Sequence, residues 1–205
     1  MTTRDGAMHA LLVGLAVGLF VLQPLADLGW VRQWLPGLVT LATLLAGMLA
    51  LHRQASMRWS IAACGAVLAV GLALRNDTLG GAGAILGLAL LSFALLRQVL
   101  AAGEVTRQRV EGAVALYLLV ALLFASAYEV LEATMPGSFA GATSLPQTFR
   151  YFSLVVQTST GFGDIAPAAP LARTIAALQA VMGQMFIAIL LARLVSLELK
   201  AERRG

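Results

Sequence analysis

Six long apolar runs divide this chain, and short stretches with basic residues separate them. The runs are residues 7–28, 35–51, 57–74, 79–96, 112–128 and 174–192. A helix of about 20 residues crosses the roughly 30 Å hydrocarbon core of a bilayer. Only 12% of the residues are charged, about half the share found in soluble domains. The pattern therefore predicts an all-α membrane protein with six transmembrane helices.

The basic residues indicate how these helices are oriented. If the N-terminus is cytoplasmic, four of the 14 Lys and Arg residues lie outside and the other ten lie inside. This bias follows the positive-inside rule, so we expect both termini in the cytoplasm. The bias towards Ala, Leu, Gly and Arg favours a bacterial inner membrane. No basic run interleaved with aromatic residues suggests a nucleic-acid partner, and the bilayer accounts for the net charge of +4.

A shorter apolar stretch lies between the fifth and sixth runs. Pro146 suits the first turn of a helix, and a helix over residues 146–158 would be roughly 20 Å long. That length is too short to cross the bilayer. We therefore expect a re-entrant helix that enters the membrane, is shielded from lipid by protein, and returns to the outer surface.

After this helix comes the polar sequence TSTGFGD, residues 158–164. Its backbone groups cannot face lipid, so they must pair with other groups or line a wet path. Gly161 and Gly163 permit positive φ, and alternating handedness could point successive carbonyl groups the same way. Several such strands around one axis would form rings of carbonyl oxygens, which can replace the hydration shell of a monovalent cation. The Ser159 hydroxyl could add a further layer of oxygens.

The stretch TSTGFGDIAP, residues 158–167, resembles the selectivity-filter signature of the tetrameric potassium channel family, whose usual form is Thr-Val-Gly-Tyr-Gly-Asp. The resemblance covers roughly residues 104–199. It implies a homotetramer of this chain that holds K⁺ at backbone carbonyls and needs no cofactor. The ion-binding residues it implies are Thr158, Ser159, Thr160, Gly161, Phe162 and Gly163. K⁺ would bind at the carbonyls of residues 159–162, and Gly163 would close the outer mouth.

The resemblance also implies residues that support the filter. Asp164 would brace it from behind the outer mouth, and Tyr151 could donate a hydrogen bond to Asp164. Tyr151, Phe152 and Phe149 could form an aromatic cuff around the filter. Val155 stands where some relatives carry a buried acid, so no carboxyl pair with Asp164 is expected. In the last run, Gly183 is either a gating hinge or a site of close helix packing.

Three residues depart from the usual filter pattern. Ser159 replaces Thr and keeps the hydroxyl without the methyl group. Thr160 replaces Val or Ile, and its hydroxyl needs a hydrogen-bond partner away from the ions. Phe162 replaces Tyr and lacks the hydroxyl that can tie the filter to the short helix. These departures bear on discrimination between K⁺ and Na⁺ and not on cation conduction.

The chain divides into a four-helix transmembrane domain, residues 1–103, and a pore domain, residues 104–205. Voltage sensing needs charges that move through the membrane field, yet the fourth run, residues 79–96, is uncharged. We therefore expect weak or absent voltage dependence.

The small residues of this run suit close helix packing. At the end of the fifth run, Glu129 and Glu132 either concentrate cations or are solvated charges.

Alternative functions fit the sequence less well. A non-selective monovalent cation channel would use the same loop. A secondary transporter with a re-entrant substrate loop would be expected to show a matching inverted repeat, and we find none. A membrane enzyme would need paired acids, a metal cluster or a nucleophile with its base. The sequence therefore favours a channel that conducts K⁺ passively and catalyses no reaction.

Overall fold

The computed structural model describes residues 3–22, 25, 35–50, 55–101, 107–142 and 148–202, and it is helical over most of them. A π-helical turn, Gly18–Leu22, continues the first helix, α1. The helices are α1 Thr3–Val17, α2 Leu35–Ala50, α3 Ala55–Leu74, α4 Asp77–Leu100, α5 Arg107–Thr134, α6 Thr148–Gln157 and α7 Pro170–Glu202. Two short strands, β1 Phe139–Ala140 and β2 Ala166–Pro167, flank α6 and the polar loop that follows it.

Four of these helices are long and apolar enough to cross a membrane. Their spanning segments are Met57–Leu74, Thr78–Leu100, Arg109–Thr134 and Pro170–Leu190. Two shorter apolar helices, Met8–Leu22 and Gly37–Met48, lie in the first and second apolar runs. The predicted all-α membrane fold is therefore confirmed, while the count of six spans stays a prediction. The predicted starting residue of the re-entrant helix, Pro146, lies outside the described residues.

One apolar core joins the helices of both halves of the chain. It consists mainly of leucines whose side chains are almost inaccessible to solvent. These include Leu11, Leu15, Leu44, Leu88, Leu91, Leu95, Leu119 and Leu122. Burial of such side chains from several helices packs α1 and α4 against α5, the helix that in turn contacts α6.

Small residues bring α3 and α4 into close contact. A Cβ atom added at Gly71 would clash with the backbone of Gly80, and one added at Gly83 would clash with the backbone of Leu68. The turn between the two helices is tight: Arg75 has φ +53. The Asn76 side chain then caps α4 by accepting a hydrogen bond from Leu79 N at 2.9 Å. The predicted close packing of the small residues in the fourth run is thus confirmed.

The segment after α5 is folded against the exit of the polar loop. Strand β1 pairs antiparallel with β2, so that Phe139 lies opposite Pro167 and Ala140 opposite Ala166. The Ser138 carbonyl accepts hydrogen bonds from Ala168 N at 2.8 Å and Ala169 N at 3.1 Å. These bonds fix where the chain leaves the loop and enters α7.

The two acids at the end of α5 have specific neighbours. The Glu132 carboxylate accepts hydrogen bonds from Gly137 N at 2.8 Å and Phe139 N at 3.2 Å, and so caps the turn that precedes β1. Glu129 lies close enough to the buried Arg150 of α6 for its charge to act on that guanidinium. Glu132 therefore holds the turn before β1, and the charge of Glu129 acts on α6.

Candidate functional site

Helix α6 is the platform for the polar loop. Its ten residues span roughly 15 Å, too little to cross a bilayer. Seven of its side chains are buried: Thr148, Phe149, Arg150, Phe152, Ser153, Val155 and Gln157. The helix contacts both α5 and α7. Where it is described, it matches the predicted re-entrant helix, except that Thr158 already belongs to the turn that follows.

The C-terminus of α6 ends in a Schellman motif. Thr160 N donates to Val155 O at 3.0 Å, and Ser159 N donates to Val156 O at 3.0 Å. Ser159 itself has φ +56, a left-handed conformation that is usually adopted by glycine at this position of the motif. A β-branched residue is a severe outlier at positive φ. This geometry gives a physical reason for Ser rather than Thr at position 159.

The loop beyond this cap alternates in backbone handedness. Ser159, Gly161 and Gly163 have φ values of +56, +61 and +81, whereas Thr160 and Phe162 between them do not have positive φ. Alternating handedness can direct successive carbonyl groups towards one side of a strand. All residues from 158 to 164 are exposed in the single chain. The glycines have the positive φ that the sequence permits, and Ser159 extends the alternation inward.

The hydroxyl groups at the start of the loop are paired. Thr158 Oγ1 donates to Leu154 O at 2.8 Å, so the 2.8 Å contact between Thr158 Oγ1 and Thr160 Oγ1 has Thr160 as its donor. Thr160 thereby has the partner that its polar side chain requires. Ser159 Oγ accepts a hydrogen bond from Gln184 Nε2 of α7 at 2.9 Å, a contact that the sequence did not suggest.

Tyr151 contacts the second half of the loop. Its ring stacks on Phe162, with centroids 6.3 Å apart and planes inclined by 3°. A hydrogen bond with the Asp164 carboxylate raises the pKa of Tyr151. The structure thus brings together three residues that the sequence assigned to the filter and its support.

Phe149 and Phe152 face away from the loop within one chain. Their rings pack against Phe139 at centroid distances of 5.0 and 5.4 Å, and Phe152 also packs against Tyr128 at 5.1 Å. Of the three aromatic residues expected to form a cuff, Tyr151 is therefore the one with a ring contact to the described loop. Val155 is buried, and its carbonyl belongs to the helix cap described above.

A buried polar cluster, formed by Tyr128, Ser153, Gln157 and Gln179, joins α5, α6 and α7. All four side chains have no exposed surface. Gln179 Nε2 donates to Ser153 Oγ at 2.7 Å and Gln157 Oε1 at 3.1 Å. Gln179 Oε1 accepts from Tyr128 OH at 2.7 Å. Every member is paired, which makes such a cluster a rigid connection in apolar surroundings.

Three further hydrogen bonds connect α6 to α5 beside the cluster. Gln157 Nε2 donates to Tyr117 O at 2.6 Å, and Tyr117 OH donates to Gln157 O at 3.2 Å. Ser153 Oγ donates to Ala121 O at 2.6 Å. The Gln157 carbonyl is one of those left without an intrahelical partner at the end of α6, and Tyr117 satisfies it.

Gly183 is a site of close packing between α7 and the end of α6. It is buried, and a Cβ atom there would clash with the Gln157 carbonyl oxygen. Backbone atoms cannot rotate away as a side chain can, so any larger residue would separate α7 from α6. The role of Gly183 as a gating hinge stays a prediction.

Arg150 is 5% exposed although it lies in the segment predicted to be external. Burial lowers the pKa of its guanidinium, and the charge of Glu129 opposes that shift. The charge of Glu129 at the end of α5 thus acts on the beginning of α6, and the polar cluster lies at the other end of that helix.

We expect Gln179→Met to destabilise the protein by about 2–4 kcal/mol, because it leaves buried partners unpaired at about 1–3 kcal/mol each. Thermal unfolding in detergent measures this loss. The same substitution at Gln184, an exposed position on the same helix, is the matched control and should cost less than about 1.5 kcal/mol. Equal losses in both variants would show that the cluster does not hold the helices together.

Two comparisons with known proteins yielded matches. Residues 115–199 match a family model described as "Ion channel". A curated relative, the inward rectifier potassium channel Kirbac3.1 of Paramagnetospirillum magnetotacticum, is 36% identical over 78 residues. That match covers 36% of this chain and 24% of the relative, so the chain aligns with about a quarter of the relative's length. No solved structure matched.

The region matched by the family model contains most of α5, all of α6 and the polar loop, and most of α7. It therefore includes the buried polar cluster and every residue that the sequence assigned to the filter. This multi-pass membrane protein is similar to ion channels over residues 115–199 and to a potassium channel over 78 residues.

Proposed function

We propose that this chain is a subunit of a potassium-selective channel that conducts K⁺ passively through backbone carbonyls of residues 159–162. The observation that carries the proposal is the alternation of φ sign from Ser159 to Gly163 in an exposed loop at the end of a buried helix. Stacked carbonyl rings replace the hydration shell of a K⁺ ion and let ions displace one another in single file. Gly163 closes the outer mouth, and K⁺ is cargo, so the proposal includes no cofactor.

A homotetramer is part of this proposal, because one strand of carbonyls cannot enclose an ion. The exposed polar loop supports the tetramer more than the exposure of α7 does, because the spanning segment of α7 is 17% buried and that of α3 is 22% buried. Phe162 is 68% exposed, and the loop beside it is polar. Such a loop cannot face lipid, and in the proposed tetramer it faces the other copies and the wet path between them.

The end of α6 supports a cation as the transported ion. Helix C-termini carry partial negative charge from carbonyl groups that lack intrahelical partners. The polar loop begins directly after this end, with Ser159 in the cap itself. A cation on the inner side of the loop would therefore be stabilised, and an anion would be disfavoured.

The side chains around the loop support selectivity for K⁺ over a non-selective pore. Each of the three departures from the common pattern has a partner that restrains it. Thr160 bonds to Thr158, Ser159 to Gln184, and the Phe162 ring stacks on Tyr151. A restrained loop can discriminate between cations of different size, whereas a loose one adapts to both.

The proposal places the channel in the plasma membrane with both termini in the cytoplasm, on the strength of the basic residues. Of the 23 residues in the spanning segment of α4, only Arg97 is charged, close to the predicted inner end. The Arg97 guanidinium lies 5.8 Å from the centroid of the Phe93 ring. We therefore propose that α4 is a scaffold and not a voltage sensor.

Gly163→Ala tests the filter assignment. A Cβ atom at Gly163 would meet nothing within 4 Å in the single chain, so the substitution acts there through its φ of +81 alone. Left-handed geometry costs an alanine about 1–2 kcal/mol. We expect K⁺ flux from proteoliposomes to fall at least about tenfold. A cost of about 1.4 kcal/mol already lowers the population of the conducting loop conformation about tenfold.

Gly137→Ala is the matched control. Gly137 has φ +84 and equally open surroundings, but it lies in the turn before β1. This variant should conduct like the unaltered protein. Unchanged flux in Gly163→Ala would refute the assignment, and equal K⁺ and Na⁺ fluxes under opposed gradients would favour the non-selective channel.

We expect a shallow dependence of conductance on voltage in planar bilayers. Each elementary charge that crosses the field contributes about 2.3 kcal/mol per 100 mV, and α4 has no charge placed to make that movement. Recordings between about −100 and +100 mV give the gating charge from the slope of the conductance–voltage curve. A slope equivalent to several charges per subunit would contradict the proposed scaffold role.

A further inference from the structure

The contact between Gln184 and Ser159 links α7 directly to the inner end of the loop. Gln184 Nε2 donates to Ser159 Oγ at 2.9 Å. Both residues are exposed in the single chain, so they lie on the side that the proposed tetramer would enclose. The bond therefore acts where a cation would pass between the loop and the space below it.

Ser159 is a residue that needs such a restraint. Its φ of +56 is unfavourable for a residue with a side chain. The helix cap fixes its backbone through Ser159 N, but that bond leaves rotation of the hydroxyl about the Cα–Cβ bond free. The amide of Gln184 occupies one lone pair of Oγ and so selects one orientation of this oxygen.

Gln184 is itself held in a defined position. The preceding residue, Gly183, packs against the Gln157 carbonyl, and Gln179 is locked in the buried polar cluster. These two contacts lie about one helical turn apart, and they fix the backbone of α7 against α6 directly before Gln184. The Gln184 amide therefore starts from a rigid base, which is what a residue needs to orient another precisely.

We propose that Gln184 is a positioning residue that orients Ser159 and thereby sets the affinity of the innermost cation site for K⁺. The inference rests on the proposed function, since it concerns a site formed by the same loop. The oriented Ser159 hydroxyl presents its second lone pair to the ion together with the loop carbonyls. Preorganised ligands bind more tightly because less conformational freedom is lost on binding.

A double-mutant cycle between the two residues tests this role. Isothermal titration calorimetry would measure K⁺ binding to the full-length protein, purified without K⁺ in choline chloride, for the unaltered chain, Gln184→Met, Ser159→Ala and the double variant. Met has the length of Gln without its amide. Thr174→Val, which loses one hydrogen bond to Pro170 O on the same helix, is the matched control.

We expect Gln184→Met to weaken K⁺ binding roughly two- to tenfold, the range set by one hydrogen bond. Ser159→Ala should weaken it at least as much, and the double variant should be no weaker than Ser159→Ala. Thr174→Val should bind K⁺ normally. Ser159→Ala removes the same bond from its other end, so the two single variants test the proposal independently.

Two results would overturn the inference while leaving the channel intact. One is a Gln184→Met protein that binds K⁺ as tightly as the unaltered chain or more tightly. The other is a double variant whose loss is the product of the two single losses, which would mean that Gln184 acts independently of Ser159. If the unaltered protein neither binds K⁺ nor conducts it, the proposed function itself is wrong.

Discussion

The structure depends on one set of hydrogen bonds made by a glutamine inside an apolar helix. Gln179 bonds to side chains of α5 and α6, and its amide has no exposed surface. In a membrane there is no water to satisfy such a group if its partners move away. The amide therefore specifies one relative placement of three helices, and with it the position where α6 ends and the loop begins.

From that end the loop is held at both of its termini. The cap at Ser159 and the amide of Gln184 fix its first residues. The β1–β2 pair and the Ser138 carbonyl fix its exit towards α7, and Tyr151 restrains the segment between through Phe162 and Asp164. The loop backbone is thus shaped by its own chain, while its residues stay exposed in the single chain.

The sequence was sufficient to predict the elements whose signal is local. The second and third apolar runs gave helices within two residues of their expected limits, whereas α5 and α7 extend beyond the fifth and sixth runs at both ends. The glycine-rich fourth run gave close packing against α3. Gly161 and Gly163 have the positive φ that only glycine adopts without strain. Residues close together in the sequence determine these features, because helix formation and backbone freedom depend on a short segment.

The contacts between distant residues could not be predicted in this way. Tyr128 and Gln179 are 51 residues apart, and Ser159 and Gln184 are 25 apart. The sequence offers only a weak signal for them, namely single glutamines within apolar stretches. The aromatic residues of α6 were equally hard to assign. Their spacing indicates which of them share a face of the helix, but not which face contacts the loop. Ser159, Thr160 and Phe162 depart from the usual filter pattern, and the residues that they contact could not be inferred from the sequence.

The central claim is that four copies of this loop present their carbonyl groups to K⁺ around one axis. The most direct test is an electron cryomicroscopy map of the protein in lipid nanodiscs, recorded in K⁺ salt. We predict a fourfold-symmetric particle with a row of axial density between the carbonyls of residues 159–162. A monomeric or dimeric particle, or a fourfold particle whose axis has no density at these carbonyls, would contradict the account.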